Sequence, residues 1–193
     1  MLDSQNTQFP AARVPVVDGG RLMERSWYRF FSNLYNYFID LPYGAFYDTT
    51  NQSASANTPT TVKFNNTSFS RHTSISTPTS RILFAADGIT SVTFSLQLSN
   101  SSASEDDVVV WLRKNGVDVP YTASTITVPK KHGSIDGTAI LTVNFYENFN
   151  PSDYLELVWL TVAGHSQIKT IPASSSPAYP ASPGAVLTVS QII

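Results

Sequence analysis

Carboxylates are the first residues whose types and spacing could do chemistry. Glu105-Asp106-Asp107 is the densest acidic run in the chain. Carboxylates that close together can hold Ca²⁺. The competing reading is a solvated loop ahead of an apolar stretch that begins at Val108. Glu147, Asp153 and Glu156 lie close enough in sequence for the paired carboxylates of a glycoside hydrolase. Asp153 falls in a turn and Glu156 on a strand, so nothing fixes them as a pair. His72, His132 and His165 all fall in expected loops, far apart, and read as surface histidines. A nucleophile elbow, a phosphate-cradling glycine loop and a His-Glu-x-x-His pair are all missing. Tyr121 and Tyr179 fall in loops, where an aromatic ring could stack on a sugar or simply pack. The expectation from these residues is a protein that is not an enzyme, with no cofactor and no metal.

Composition narrows the classes further. The chain has 193 residues, a net charge of −2 and only 13% charged residues. Its surface must therefore be covered by Ser, Thr, Asn and Gln. No basic patch is visible that could hold a phosphate backbone, so nucleic acid is not an expected partner. Cysteine is absent, which rules out disulfides and thiolate-held metals. MLDSQNTQFP lacks the basic start and apolar core of a signal peptide, and no apolar run approaches the roughly 20 residues that span a bilayer. Membrane association is not expected. Without a signal peptide, the Asn-x-Ser/Thr sequences at Asn51, Asn65, Asn66 and Asn100 are accidents of a hydroxyl-rich surface. Two settings fit: an ordinary intracellular protein, or the surface of a particle that must survive outside a cell.

The elements that would position any site centre on Gly88–Val119. From Ile89 the side chains alternate. Ile89, Ser91, Thr93, Ser95 and Gln97 fall on one face, and Thr90, Val92, Phe94, Leu96 and Leu98 on the other. Val108, Val110 and Leu112 oppose Val109, Trp111 and Arg113. Trp111 and Trp159 both lie mid-strand and read as core. Asn115-Gly116 predicts a two-residue hairpin turn, because the type I′ turn needs positive φ at both positions.

Upstream the texture differs. Residues 1–20 form a polar arm punctuated by Pro10 and Pro15, with Val14, Val16 and Val17 as its apolar cluster. Trp27, Phe30, Phe31, Leu34 and Phe38 recur at three- and four-residue steps and predict an amphipathic helix over Ser26–Phe38. Tyr28, Tyr35 and Tyr37 widen its stripe. Ser26 is the expected cap, and Leu41-Pro42 ends the helix. About 13 residues make a marginal helix in isolation. This stripe is too aromatic to face water, so it packs either on the chain's own β domain or against a partner.

After Leu41 no helical period appears. Strands are expected at Tyr43–Tyr47, Thr61–Phe64, Ser80–Ala86, Thr125–Pro129, Thr138–Phe145, Tyr154–Val162, Gln167–Pro172 and Ala185–Ile192. Asn65–Arg71 and Ser174–Pro183 read as polar links. With the central stretch this makes roughly ten short strands at spacings typical of a sandwich or barrel.

The order of several motifs resembles the C1q/TNF-like jelly-roll family, in the form found in bacteriophage particle proteins. They are Tyr43-Gly44-Ala45-Phe46, Ser80-Arg81-Ile82, Gly88 leading into Phe94-Ser95-Leu96-Gln97, Val110–Gly116, Asp153–Trp159 and Pro183-Gly184. Ile89 departs from the family's pattern, and the collagen stalk of the animal members is missing. The resemblance implies a compact homotrimer packed through one sheet. Pro15-Val16-Val17-Asp18, Gly20-Arg21 and Trp27-Tyr28-Arg29-Phe30-Phe31 resemble the leader of phage tail, fibre and capsid-attached proteins. That likeness implies an arm and helix over 1–41 that dock on the particle through Val14, Val16, Val17, Trp27, Phe30, Phe31, Leu34 and Phe38. The remainder, 42–193, is then an all-β jelly-roll knob.

The function so implied is a virion structural protein, assembled in the host cytoplasm. It would be a trimeric capsid decoration or head-fibre protein, whose partner is the major capsid protein or a tail or fibre protein. Two alternatives stand beside it. One is a tail-associated adaptor, fibre or receptor-binding knob that touches a host glycan. The other is a carbohydrate-active enzyme.

Overall fold

The computed structural model describes residues 9–192 apart from 12, 18, 21 and 40, with the side chains of 36–39 also left out of account. Its contacts divide the chain into two units, Met1–Leu41 and Pro42–Ile193.

In the first unit, helix α1 spans Arg25–Ile39, a residue longer at each end than the aromatic spacing predicts. Ser26 is not its cap. The Glu24 carboxylate accepts the Ser26 amide at 2.7 Å and also the Ser26 hydroxyl. An acidic side chain thus meets the unpaired amides and positive dipole end of the first turn, which stabilises both.

The second unit is built from short strands. In chain order they are β1 (Tyr43–Asp48), β2 (Gln52–Ser53), β3 (Thr60–Thr61), β4 (Asn66–Arg71), β5 (Thr73–Ile75) and β6 (Ile82–Phe84). Next come β7 (Gly88–Asn100), β8 (Asp106–Lys114), β9 (Val117–Asp118), β10 (Ser124–Val128) and β11 (Gly137–Phe149). The last are β12 (Tyr154–Thr161), β13 (Ser166–Ile168), β14 (Ser174–Ser175), β15 (Ala178–Tyr179) and β16 (Ala185–Gln191).

They form two seven-stranded antiparallel sheets and a small β14–β15 hairpin. In the first sheet β4, β1, β16, β7 and β11 lie side by side; β13 also pairs with β7, and β2 with β13. In the second, β10, β8, β12, β6 and β5 lie side by side, with β3 also on β12 and β9 also on β8.

The alternation of β7 decides which way the first sheet faces. Val92, Phe94, Leu96 and Leu98 are buried, while Ser91, Thr93, Ser95 and Gln97 point away from the core. The second sheet answers with Val108, Val110, Leu112, Leu155, Leu157 and Trp159. Phe84 and Phe149, one from each sheet, stack at 3.8 Å between ring centres and close one end of the sandwich. Asn115 and Gly116 take φ of 52° and 81°, as the type I′ turn between β8 and β9 requires.

Some expectations fail for physical reasons. Trp111 is not core. It sits on the outer side of β8, half-buried, and its indole N–H donates to Asp118 at 2.8 Å. The polar link over Asn65–Arg71 is strand β4, an edge strand whose side chains are mostly exposed. Val62 and Phe64, expected on a strand, are buried from irregular chain beyond β3. The Val62 amide still donates to the Leu157 carbonyl at 2.8 Å, so the chain stays tied to β12 just past β3.

Gly137 opens β11 where the backbone folds tightly. A Cβ added there would lie 1.8 Å from the Pro129 carbonyl oxygen. Gly137→Ala must therefore move backbone, and we expect it to lower the free energy of unfolding by about 3 kcal/mol. Urea titration of the full chain checks this, and a loss under about 0.5 kcal/mol would contradict the close approach.

Candidate docking and assembly surfaces

The arm of the first unit folds back on α1. The Val14 amide donates to Ala11 at 2.8 Å, Val17 bridges Met23, and the Glu24 amide donates to Val16 at 2.9 Å. Trp27 ties the arm to the helix through its indole N–H, which donates to the Val14 carbonyl at 3.0 Å. Phe9 sets its ring edge-on to Trp27 and Phe30, with centroids 5.0 and 5.2 Å away, and Trp27 stacks on Phe31.

This small aromatic cluster leaves much apolar surface open. Tyr28 is 64% exposed, Phe31 44% and Tyr35 66%; they recur at i, i+3 and i+7 and so share one stripe, beside which Leu34 is also exposed. Val16, Val17, Leu22 and Met23 are exposed as well.

The expected docking residues therefore divide. Trp27 and Phe30 are engaged by the arm, and Val14 is half-buried, offering its carbonyl. Phe31, Leu34, Val16 and Val17 remain open. The Phe38 side chain lies outside the described residues. Phe9 was missed by the periodicity argument because it stands alone in a polar arm. The signal that could have found it is an aromatic directly before a proline, Phe9-Pro10, ahead of an aromatic helix.

On the second unit the outer face of the first sheet is a lawn of small polar groups with aromatics at its margins. Register places Tyr43, Ser190, Ser91 and Tyr146 in one row across four strands. Tyr43 also lies against Phe69, with ring centres 6.0 Å apart. Between the margins, the Asn144 amide donates to Ser91 and Thr93, both at 2.7 Å, and the Thr142 hydroxyl to Ser95 at 3.0 Å. At one end of this face a 510 Å³ cleft is lined by Ile135, Ile140 and Ile171 around the Asp136–Lys169 pair, 2.7 Å apart. Lys169 and the Ser99 hydroxyl hold the Asp136 carboxyl below its ordinary range.

The residues considered for chemistry are placed as follows. Asp106 is not in a solvated loop; it opens β8 and is buried. Its carboxylate accepts the Ala163, His165 and Ser166 amides at 2.8, 2.9 and 2.7 Å, and also the Thr161 hydroxyl. Burial alone would push its carboxyl up. The donors from Thr161, Ala163 and Ser166 outweigh burial and hold it below its ordinary 3.8. Asp107 accepts the Thr127 hydroxyl at 2.6 Å. Hydrogen-bond donors thus occupy both oxygens of Asp106 and one of Asp107, and among the described residues no three His, Asp or Glu groups converge on a metal position.

Glu147 and Asp153 do come together, each 3.4 Å from Lys114. Glu156 is apart from them, buried against the Ser80 hydroxyl and the Arg81 guanidinium. The three histidines are exposed. Tyr121 is fully exposed and holds φ of 65°. No described helix is long and apolar enough to cross a membrane.

A two-sheet antiparallel sandwich with this strand order is an all-β jelly roll of the C1q/TNF-like kind. Among solved structures it is similar to the Eiger TNF from S. frugiperda, with 11% identity over 80% of this chain and 94% of that one and a TM-score of 0.50. That likeness is one of fold. No family model matches the sequence, and no curated protein matches it either.

The Asp106 cradle yields a signed expectation. A carboxyl held below 3.8 in the fold stabilises it fully above that pH and loses the contribution as pH falls through the lower folded value. Asp106→Asn sets an NH₂ group against buried amide donors, and we expect about 2–3 kcal/mol of destabilisation at neutral pH. The gap between variant and parent should narrow below pH 3.8. Denaturant titration at pH 7 and pH 3 reads both, and equal stability at neutral pH would show the cradle to be incidental.

Proposed function

We propose that this chain is a structural protein of a bacteriophage particle, most simply a trimeric capsid decoration or head-fibre protein. The arm and α1 dock on the major capsid protein or on a tail or fibre protein, and the jelly-roll unit projects as a knob. The observation that carries this reading is the open stripe of Tyr28, Phe31, Leu34 and Tyr35 with Val16 and Val17 nearby. So much exposed apolar surface on so small a unit marks a contact with another molecule. The resemblance of the leader and knob motifs to phage particle proteins supplies the kind of partner. The polar lawn with aromatic margins on the first sheet is the surface on which three knobs would pack. The mechanism is adhesion and geometry: three linked knobs raise the avidity of any weak contact each makes. The place of action is the virion, after assembly in the host cytoplasm.

A second reading, a tail adaptor or receptor-binding knob, is favoured by Tyr121. A fully exposed tyrosine at φ 65° is held by its loop, where Thr122 accepts the Leu112 amide at 3.1 Å and donates to the Val119 carbonyl at 2.8 Å. A ring presented in that way could stack on a host glycan.

Deleting residues 1–41 separates docking from folding. The remaining 42–193 should still unfold cooperatively but fail to join phage particles assembled in its presence. Should the shortened chain be incorporated as well as the parent, attachment does not reside in the arm and helix.

A further inference from the structure

We infer that the surface receiving α1 is a protein groove with an apolar floor and carboxylates along one wall, and that Arg25 and Arg29 are the residues that read those carboxylates. The inference rests on the docking reading above and names the chemistry of the partner.

The two arginines border the open stripe. By the helical turn, Arg25 and Arg29 lie about 60° and about 100° around the axis from Tyr28, on the side away from Leu34. Both are exposed, and among the described residues no ion pair involves either. One continuous face therefore runs from Leu34 through Phe31, Tyr35 and Tyr28 to Arg25 and Arg29. It is apolar at one margin and cationic at the other.

The helix itself gives no reason for cations there. Arg25 and Arg29 stand four residues apart, a spacing at which like charges repel. They also sit near the positive end of the helix dipole, where a cation is disfavoured. α1 has no acid in its first turn, and Glu24, just ahead of it, directs its carboxylate to Ser26. Two charges that weaken the helix are accounted for by a contact outside it. On a protein surface the group that a guanidinium fork matches is a carboxylate.

Charge and composition also reject two other occupants. Copies of α1 related by a three-fold axis run parallel. Packed on this stripe, they would bring their arginines together, with no acid anywhere on the helix to offset them. A lipid surface would take up Trp27 and Phe30 ahead of the tyrosines, yet the arm engages both. What stays open is rich in tyrosine, phenylalanine and arginine, the residue types enriched where proteins meet.

The test uses the full chain and particles of its phage assembled without it. Arg25→Glu/Arg29→Glu places acids near the positive end of the dipole, which favours the helix. A docking loss in that variant is then not a loss of helix, and far-UV circular dichroism checks this. We expect its affinity for the particles to fall about tenfold or more. The parent should bind more weakly at about 500 mM salt than at about 50 mM, and the double variant should lose that dependence. Tyr35→Ala should weaken docking at both salt concentrations. If Tyr35→Ala weakens docking while the double variant binds as the parent does, apolar docking stands and the acidic groove is overturned. If neither variant is weakened, the docking reading fails and takes the groove with it. Binding of the parent but not the double variant to phosphatidylglycerol vesicles would assign the arginines to lipid and overturn the inference. A native mass that differs between parent and double variant would place them between copies and overturn it too.

Discussion

Pairing of β7 on both sides is the constraint on which the rest of the structure depends. One flank of this 13-residue strand carries β11 from end to end, and the other carries β16 and β13. β16 in turn carries β1, and β1 carries β4, so the first sheet is assembled outward from one template. Its alternation then decides what must cover it. Val92, Phe94, Leu96 and Leu98 each gain about 1.5–3 kcal/mol from leaving water. A one-residue slip would turn all four outward and bring Ser91, Thr93, Ser95 and Gln97 inward. The second sheet meets that demand with aliphatic side chains and Trp159, so register in one layer dictates composition in the other.

Charge is scarce, and much of it is spent inside the fold. Asp106 ties the start of β8 to the turn after β12. Glu156 ties β12 to Ser80 and Arg81 ahead of β6, and Arg81 also lies over the Tyr154 ring at 4.3 Å. Lys114 gathers Glu147, Asp153 and the Asn148 carbonyl at the end of β8. Asp118 accepts both the Trp111 indole and the Arg113 guanidinium, which hold its carboxyl below the ordinary range. Each group is satisfied by a neighbour that also fixes a turn or a strand end. The surface is then left largely to hydroxyls, amides and a few aromatic rings, which suits recognition by shape better than by charge.

Much of this was legible in the sequence where one periodicity dominates. The alternation of β7, the Asn-Gly turn and the aromatic spacing of α1 each have a single geometric solution, and each is found where it was expected. The misreadings share a cause: local sequence does not say what lies across the fold. Trp111 is apolar and mid-strand like Trp159, yet only Trp159 faces the opposing sheet; Trp111 finds its partner in Asp118, seven residues along a hairpin. Asp106 looked solvated because its donors lie more than 50 residues away. Ser26 looked like a cap because serine is favoured there, but Glu24 can reach the same amide with a full charge. The docking residues were legible by type and not by arrangement. Helical spacing groups Trp27 with Phe31, whereas the arm, through Phe9, engages the Trp27 and Phe30 side of the helix and leaves Tyr28, Phe31 and Tyr35 uncovered.

The two units solve opposite problems. The sandwich buries a continuous core and shows a face of hydroxyls on its first sheet. The arm and helix bury one small aromatic cluster and leave comparable apolar surface open. A short helix of this kind gains little from its own hydrogen bonds and depends on packing for stability. Further packing would have to come from apolar surface outside this cluster, and the docking proposed above is one source of it. If the arm and helix dock as proposed, the partner's surface completes that packing, while the sandwich holds a core of its own.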